Sequence, residues 1–341
     1  TAAKHVVYAL ERQGFVRPHL ADENDKRTIY LVDMHEPLMF LHNLETTIKE
    51  PFASNPAVLR AIEKNHKKLQ IAMTKLYPGN LVLSLSSGVM HHRLVDRITS
   101  LNDVPREPLA PRRLGKNMCV PFGKILRGKV VPNTVTKTLH TDKVYEPDLN
   151  SFTIEPFPYY SPLKSQIETI KSFDRPVILV DDLVHTANRL QVLVPQLRED
   201  GIPIKKVVVG VLSGYGRDLM QCLKVPVESI YSMPNLRQWF VESTLYPFIG
   251  GDTVRREEMK VAGLQPSINM ILPYATPRLS GCSREALVEF SACCIENSRD
   301  LFQVLEAEYR KMYAKNLTLS RLSEAVILPL CPDKGSCMEY D

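Results

Sequence analysis

Apolar runs and segments of helical spacing alternate along most of the chain. The nearly continuous runs predict strands, because an unbroken apolar run suits a strand that is covered on both faces of a sheet. We expect strands at residues 81–85, 177–180, 207–212 and 227–233. Other segments place their apolar residues three and four apart, which is the spacing of an amphipathic helix. This alternation predicts an α/β fold in which a mainly parallel sheet is flanked by helices.

The clearest helical segments lie near the two ends of the chain. The first begins at Ser54-Asn55-Pro56, where a capping side chain is followed by proline, and ends at Pro78-Gly79. His66 lies on its apolar face, and we expect this histidine to be packed or on the rim rather than a ligand. Residues 283–314 predict a long amphipathic helix and residues 318–327 a shorter one, so the fold should end in a C-terminal helical extension.

Composition and charge narrow the class of protein without identifying it. Of the 341 residues, 44% are apolar and 24% are charged, which is the balance of a soluble globular protein. The apolar runs are too short to cross a bilayer and no secretory leader is visible, so we expect a cytoplasmic protein. The seven cysteines are scattered and odd in number, which fits a reducing compartment rather than a disulfide framework. The net charge of +5 argues neither for nor against nucleic acid.

The segment after the strand at residues 177–180 carries the most chemistry. Asp181 and Asp182 stand at the carboxyl end of the strand, two apolar residues and a short turn follow, and a helix opens at residues 188–190. Ligands of open α/β sheets bind at the carboxyl ends of strands, and the N–H groups at a helix start attract anions. The segment therefore predicts carboxylates for hydroxyl groups or a hydrated metal, next to a cradle for a phosphate.

This order of residues resembles the phosphoribosyl-pyrophosphate (PRPP) loop of the type I phosphoribosyltransferase family. The resemblance implies that Asp181 and Asp182 hold the ribose hydroxyls and are the catalytic carboxylates. It also implies that the 5′-phosphate is wrapped by five consecutive residues, which are His185, Thr186, Ala187, Asn188 and Arg189. Mg²⁺ would accompany PRPP as the cofactor, and we expect no side chain to bind the metal directly.

Three positions of this loop depart from the family pattern. The family usually has glycine where Ala187 stands, often glycine where Asn188 stands, and a hydroxyl residue where Arg189 stands. Alanine costs backbone freedom at a position that favours positive φ, whereas asparagine tolerates that region better. Two interpretations of the arginine stay open, because it can pair with a phosphate bidentately or block the pocket.

Contacts to the pyrophosphate are expected upstream of this loop. Ser86, Ser87 and Gly88 form a small-residue turn after the first predicted strand, where the family carries its pyrophosphate loop, and we expect a helix to begin about three residues later. The basic interval that follows supplies further candidates for the phosphates, namely Lys124, Arg127, Lys129 and Lys137. The length of this interval implies an insertion relative to the family, with a hairpin around residues 118–131.

The first 35 residues have a pattern of their own. A helical pattern that ends at Gly14 is followed by a charged turn and a strand at residues 28–32. This order is similar to the closing helix and strands of a GNAT-type acetyltransferase, which we favour, and also to the recognition helix and wing of a winged-helix DNA binder. We expect residues 1–35 to be the remnant of a preceding domain of a longer protein. Residues 36–281 would form the phosphoribosyltransferase-like domain, and residues 282–341 the helical extension.

Three hypotheses about function remain open. The leading one is a phosphoribosyltransferase-like domain that binds PRPP or a ribose-5-phosphate nucleotide and, if active, transfers the phosphoribosyl group to a nitrogen nucleophile. The second is a non-catalytic domain that senses PRPP or a nucleotide through the same pocket. The third is an interaction or RNA-binding module, in which the loop is vestigial and the basic interval contacts the partner. We expect no membrane association, and the long C-terminal helix is consistent with a homodimer.

Overall fold

The computed structural model describes residues 36–111, 113–126, 129–256, 263–277, 279 and 281–332, together with the backbone of two short strands nearer the N-terminus. The chain divides into two compact units, each built from separate stretches of sequence. The first unit takes residues 1–37, 87–142 and 154–237, and the second takes residues 38–86, 143–153 and 238–341. The expected domain boundaries at residues 35 and 281 stay a prediction.

The strands of the described residues are short and are numbered along the chain. They are β1 (Val16–Arg17), β2 (Ile29–Leu31), β3 (Leu38–His42), β4 (Val82–Ser86), β5 (Met118–Pro121), β6 (Val135–Thr136), β7 (Thr141–Tyr145), β8 (Phe152–Pro156), β9 (Val177–Val184), β10 (Ile204–Ser213), β11 (Val227–Met233), β12 (Gln238–Val241), β13 (Asp252–Val254), β14 (Gln265–Ile268) and β15 (Leu330–Cys331).

The helices are numbered in the same way. They are α1 (Pro56–Leu76), α2 (Ser87–Leu101), α3 (Leu163–Lys171), α4 (Asn188–Glu199), α5 (Gly214–Cys222) and α6 (Arg284–Tyr313). Short 3-10 helices lie at Leu44–Thr47, Glu242–Leu245 and Leu319–Glu324. In the part of the chain that the structure describes, every helix is too short or too polar to cross a membrane.

A seven-stranded sheet with the order β1-β2-β11-β10-β9-β5-β6 organises the first unit. Its neighbouring strands are parallel, except for the antiparallel pair β1 and β2. Residues 177–180 of β9 and residues 207–209 of β10 are fully buried, as expected for central strands covered on both faces. Leu190, Leu193 and Val194 of α4 join the same core. The predicted α/β fold, with mainly parallel strands flanked by helices, is confirmed.

The second unit contains a parallel sheet with the order β12-β3-β4. The helices α1 and α6 pack against each other, and their apolar faces share one core with Phe40 of β3. Within this helix pair the buried amides of Asn65 and Asn297 each donate a hydrogen bond to the other residue's backbone carbonyl, at 2.9 and 3.0 Å. The predicted C-terminal helix is therefore present as α6. A third sheet, made of five short strands, has the order β15-β14-β13-β7-β8.

The sequence-based predictions of two secondary-structure elements are wrong. In the described part of residues 118–131, which leaves out residues 127 and 128, the expected hairpin is not formed, because β5 has a parallel partner at each edge, β6 on one side and β9 on the other. Met118, Cys119 and Val120 are fully buried, which suits a strand inside a parallel sheet rather than a hairpin on an inserted loop. The helix expected at 318–327 is only a 3-10 turn, and Val326 instead forms an antiparallel bridge with Ile48.

Two element boundaries also differ from expectation. The strand β9 runs four residues past Val180, because Asp181, Leu183 and Val184 continue the register with β10. The helix α2 begins directly at Ser87, so no separate Ser-Ser-Gly turn divides it from β4. Both differences place polar residues inside regular elements, where their backbone positions are fixed by the sheet or by the helix.

Candidate functional site

The two adjacent carboxylates lie in the last half of β9 rather than after it. Asp181 is 3% exposed, whereas Asp182 is half-buried. The backbone N–H of Asp182 donates to Asp181 Oδ1 at 2.9 Å, and the N–H of Leu183 donates to Asp182 Oδ1 at 2.8 Å. One carboxyl group is therefore enclosed by protein, and the other still reaches solvent.

A glycine and an arginine enclose Asp181. A Cβ atom added to Gly123 would lie 1.6 Å from Asp181 Oδ1, so the carboxyl group occupies space that any other side chain would need. Arg189 Nη1 lies 3.8 Å from Oδ2, the second oxygen of the same carboxyl group. Burial, and then the neighbouring Asp182 carboxylate, raise the pKa of Asp181 well above its usual range, and Arg189 offsets this only in part. The enclosed carboxyl group therefore holds a proton more tightly than an exposed aspartate does.

A loop of three residues, His185 to Ala187, connects β9 to α4. Ala187 is left-handed, with φ 49° and ψ 20°, at the position where the resembled family usually has glycine. The Asn188 side chain donates to Thr186 Oγ1 at 2.8 Å, which folds the loop onto the first residue of the helix. No described side chain caps the start of α4, so the N–H groups of its first turn remain available to an anion.

His185, the first residue of this loop, is hydrogen-bonded to Ser213, the last residue of the neighbouring strand β10. His185 Nδ1 lies 2.8 Å from Oγ of Ser213, and that hydroxyl also accepts the N–H of Gly216 at the start of α5. Burial lowers the pKa of His185, so the ring is neutral near physiological pH. Tyr215 is 57% exposed, and its ring centroid lies 5.8 Å from that of His185. The loop therefore begins with a neutral imidazole, that of His185, and the exposed ring of Tyr215 lies beside it.

The start of α2 lies close to the acidic pair. A Cβ atom added to Gly210 of β10 would meet both the sulfur of Met90 and the carbonyl oxygen of Asp182. Met90 belongs to the same first turn of α2 as Ser87 and Gly88. The Met90 side chain therefore lies near the backbone of Asp182, and Ser87 and Gly88 stand three and two residues before Met90 along α2.

The other residues expected to contact the phosphates have a less direct relation to the Asp181–Asp182 pair. Lys124 directly follows the glycine that encloses the first carboxyl group, and its side chain is exposed. Lys129 and Lys137 are also exposed. Ser86 is the last residue of β4, in the second unit, and Arg127 lies outside the described residues. Among the basic candidates, Lys124 has the best-supported position.

Sequence reasoning missed two glycines that shape the site. Gly123 follows the apolar strand β5, and Gly210 interrupts the apolar strand β10. Glycine at such a position often indicates the close approach of another group, and this was the one available signal. The sequence does not tell which group approaches: at Gly123 it is the carboxyl group of Asp181, and at Gly210 it is first the Met90 side chain and then the carbonyl oxygen of Asp182.

The exposed side of the acidic pair suits Mg²⁺ when a phosphate ligand is also present. Mg²⁺ prefers oxygen ligands and usually combines one or two carboxylates with waters and substrate phosphates. Asp182 provides a half-exposed carboxylate, and the uncapped start of α4, which residues 185–187 separate from β9, presents N–H groups to an anion. The residues present therefore fit a magnesium–phosphate ligand.

Comparison with known proteins gives little further support. No protein-family model and no curated protein matches the chain. Among solved structures, a purine phosphoribosyltransferase from Pyrococcus horikoshii Ot3 is similar over 51% of this chain and 93% of its own, with 11% sequence identity. The TM-score of this likeness is 0.25, which is too low to support a conclusion about the fold or the site.

Proposed function

We propose that the first unit binds PRPP or a ribose-5-phosphate nucleotide, with Mg²⁺, at the carboxyl end of β9. The observation that best supports this is the short connection between a carboxylate pair and an uncapped helix start, through a loop with a left-handed residue at Ala187. A phosphoribosyl ligand needs both parts. Its ribose hydroxyls donate hydrogen bonds to carboxylates, and its 5′-phosphate accepts them from N–H groups at a helix start.

We assign the half-exposed Asp182 as the first partner of the ribose hydroxyls and the buried Asp181 as the second. The N–H groups of residues 185–189 and the Thr186 hydroxyl would hold the 5′-phosphate. Arg189 Nε is buried and has no hydrogen-bond partner among the described residues. A phosphate placed at the start of α4 would give this guanidinium a bidentate partner, so the arginine is assigned to phosphate binding.

In the transfer reaction, the bond between ribose C1 and the pyrophosphate oxygen breaks, and its electron pair leaves with pyrophosphate. The nitrogen nucleophile forms the new bond to C1 and loses its proton to solvent. The protein contributes mostly orientation and electrostatic stabilisation to such a step. The carboxylates of Asp181 and Asp182 stabilise positive charge on the ribose, while Lys124 and the start of α2 face the leaving group. Bound Mg²⁺ supplies neutralisation of the pyrophosphate charge.

A second function, binding without transfer, is favoured by the surroundings of Asp181. This carboxyl group is enclosed by Gly123 and faces Arg189, and its pKa is raised by burial. An enclosed carboxyl group with a raised pKa stabilises positive charge on a ribose poorly. A domain of this kind would sense PRPP or a nucleotide without releasing pyrophosphate.

Calorimetric titration of the full chain with PRPP and Mg²⁺ tests the proposal. We expect micromolar binding that is lost in Asp181→Asn/Asp182→Asn. The matched control is Asp103→Asn/Asp174→Asn, which removes the same charge from two exposed aspartates of the same unit. Both control positions have positive φ, which asparagine tolerates, so this variant should bind as the unmutated protein does.

The outcomes separate the three hypotheses. Binding with pyrophosphate release on addition of a base indicates a transferase, and binding without release for any base indicates a sensor. Absence of binding, in a protein whose circular dichroism shows an intact fold, would overturn the proposal. Salt-sensitive RNA binding under the same conditions would then favour the interaction module.

A further inference from the structure

Two histidines and one glutamate, residue types that bind metals in other proteins, meet beside the strand ends of the second unit. His42 is the last residue of β3, and Glu242 directly follows β12. These strands are parallel neighbours, with Leu41 opposite Val241, so their next residues lie side by side at the carboxyl edge of the sheet. The third side chain, His66, comes from the middle of α1.

The distances between these side chains are those of ligands around one metal ion. His66 Nδ1 lies 3.3 Å from Glu242 Oε1, and His42 Nδ1 lies 3.6 Å from Glu242 Oε2. One ligand atom from each of the three residues falls within 4.8 Å of the other two. With Zn–N and Zn–O bonds of about 2.0–2.2 Å in a tetrahedron, neighbouring ligand atoms are about 3.4 Å apart. The donor atoms are therefore close enough to share one ion, and the two imidazole rings, whose centroids are 3.0 Å apart, must move apart for both nitrogens to face it.

Without a cation, this cluster holds a buried carboxylate that is hydrogen-bonded to His66, and a buried histidine nitrogen that has no hydrogen-bond partner among the described residues. Glu242 is 1% exposed, and its ion-pair partners among the described residues are the two histidines, with no lysine or arginine. His42 Nδ1 is buried, and it has no hydrogen-bond partner in the described part of the chain. A buried carboxylate and a buried unpaired nitrogen both cost free energy, which a bound cation would offset.

Further contacts hold the cluster in place. The backbone N–H of Ser243 donates to Asn43 Oδ1 at 2.9 Å, and the Asn43 amide donates to Ser243 Oγ at 2.9 Å. This reciprocal pair ties together the residues that directly follow His42 and Glu242. The ring of Phe40 packs against both histidines, with centroid distances of 4.7 and 5.2 Å.

Gln70 contacts Nε2 of His66, the ring nitrogen that does not contact Glu242. Its amide lies 3.3 Å from His66 Nε2 and 2.5 Å from Oγ of Ser84. When His66 binds a metal through Nδ1, its Nε2 carries the proton and must donate it. If the Gln70 amide is rotated by half a turn about its last side-chain bond, its carbonyl oxygen accepts hydrogen bonds from that N–H and from the Ser84 hydroxyl. Partners of this kind orient metal-binding histidines in known sites.

We propose that His42, His66 and Glu242 form a zinc site with one coordination position open to solvent. Among the described residues, no fourth histidine, cysteine, aspartate or glutamate joins the cluster. Each histidine side chain is 18% exposed, so one side of the cluster reaches water. Three protein ligands with an open position are typical of zinc sites that bind a water or a substrate oxygen, whereas structural zinc sites use four protein ligands. This site is independent of the magnesium–phosphate ligand proposed for the first unit.

The test uses the full chain, stripped of metal and titrated with Zn²⁺ against a coloured zinc chelator. We expect one tightly bound Zn²⁺ per chain, and an affinity lower by more than about 100-fold in Glu242→Gln and in His66→Gln, because loss of a ligand should exceed the effect of losing an outer partner. Gln70→Ala should weaken binding by about 10- to 100-fold. His92→Gln, at an exposed histidine outside the cluster, is the matched control and should bind as the unmutated protein does.

X-ray absorption at the zinc edge of the unmutated protein supports or overturns the proposal even if a variant fails to fold. We expect imidazole and oxygen scattering and no sulfur at about 2.3 Å. Sulfur ligands would mean that cysteines bind the ion. That result, equal affinity in the folded Glu242→Gln variant, or the absence of binding by the unmutated protein would each overturn the proposal.

Discussion

Two strand ends of this protein share a backbone arrangement and differ in chemistry. At the end of β9, two carboxylates are followed by a short loop and an uncapped helix start. At the ends of β3 and β12, the His42 imidazole and the Glu242 carboxylate meet the His66 imidazole of α1. In both units parallel strands gather side chains at one edge. The sheet edge therefore provides the position, and the side chains on it and on the helix beside it determine which kind of ligand we propose for each unit.

The largest effects are expected where glycines support the two strand ends. In Gly216→Ala the new Cβ would lie 2.2 Å from the carbonyl oxygen of Val184, and in Gly250→Ala it would lie 1.9 Å from that of Ser243. Both contacts are with backbone, so each variant should lose about 1–3 kcal/mol of unfolding free energy in urea titrations. The exposed Ser165→Ala should change it by less than about 0.5 kcal/mol. Glycine variants as stable as this control would show that the close approaches are not present in solution.

Arg189→Gln distinguishes the phosphate site from the metal site. We expect affinity for PRPP with Mg²⁺ to fall about 10-fold or more, because a charge-assisted hydrogen bond to phosphate is lost. Zinc affinity of the same variant should not change. Calorimetry with each ligand measures both values. Tighter PRPP binding by the variant would mean that the arginine blocks the pocket.

The buried carboxyl group of Asp181 should make the stability of the protein depend on pH. Because its pKa is raised in the folded protein, the folded state keeps this proton above pH 3.8, where the unfolded chain releases it. Stability from this group is therefore present at acidic pH and is lost as the pH rises through the folded pKa. Asp181→Asn should increase the unfolding free energy at pH 7, by less than the glycine losses, and the gain should shrink towards pH 3.8.

The control for this pH effect is Asp182→Asn, because that side chain is half-exposed and should change stability less. Urea titrations of both variants between pH 3.8 and 7 provide the measurement. If the unmutated protein instead gained stability relative to Asp181→Asn as the pH rose, the enclosure of Asp181 would be wrong.

The smallest effects are expected at two left-handed alanines, one in each unit. Ala187 precedes α4 with φ 49°, and Ala314 follows α6 with φ 54°. Glycine at either position relieves about 1 kcal/mol of backbone strain, but the unfolded chain gains freedom of similar size. Both variants should therefore change stability by less than about 0.5 kcal/mol in thermal unfolding. Ala187→Gly alone should leave PRPP affinity equal or slightly improved, and a loss of affinity would count against the phosphate loop.

The sequence predicts the first sheet better than the second. Residues 177–180 and 207–212 are continuous apolar runs, and burial on both faces follows directly from that pattern. In the second unit, β3 and β12 have five and four residues and belong to distant parts of the chain. Strands this short have no periodic signal, and no local pattern indicates that they pair. The wrong hairpin around residues 118–131 has a similar cause, because the composition of the interval concealed one short buried strand.

The candidate sites differ in the same way. Asp181 and Asp182 are adjacent in sequence and precede a recognisable turn, so a local motif was enough to find them. The zinc cluster combines residues 42, 66 and 242, whose spacing matches no local metal-binding pattern. Taken alone, one histidine on an apolar helix face, such as His66, predicts only a packed or rim histidine. Only the pairing of β3 with β12 supplies the other two side chains.

The pairing of β3 with β12 has a consequence for the newly made chain. Asn43 and Ser243, which bond across the two strand ends, are 200 residues apart in sequence. At about 5–20 residues per second, the ribosome needs about 10–40 s to add that length. For most of this interval the imidazoles of His42 and His66 have been synthesised, whereas the carboxylate of Glu242 has not. A zinc ion held by all three residues would therefore bind late in synthesis, and its capture would mark the moment when the second unit closes.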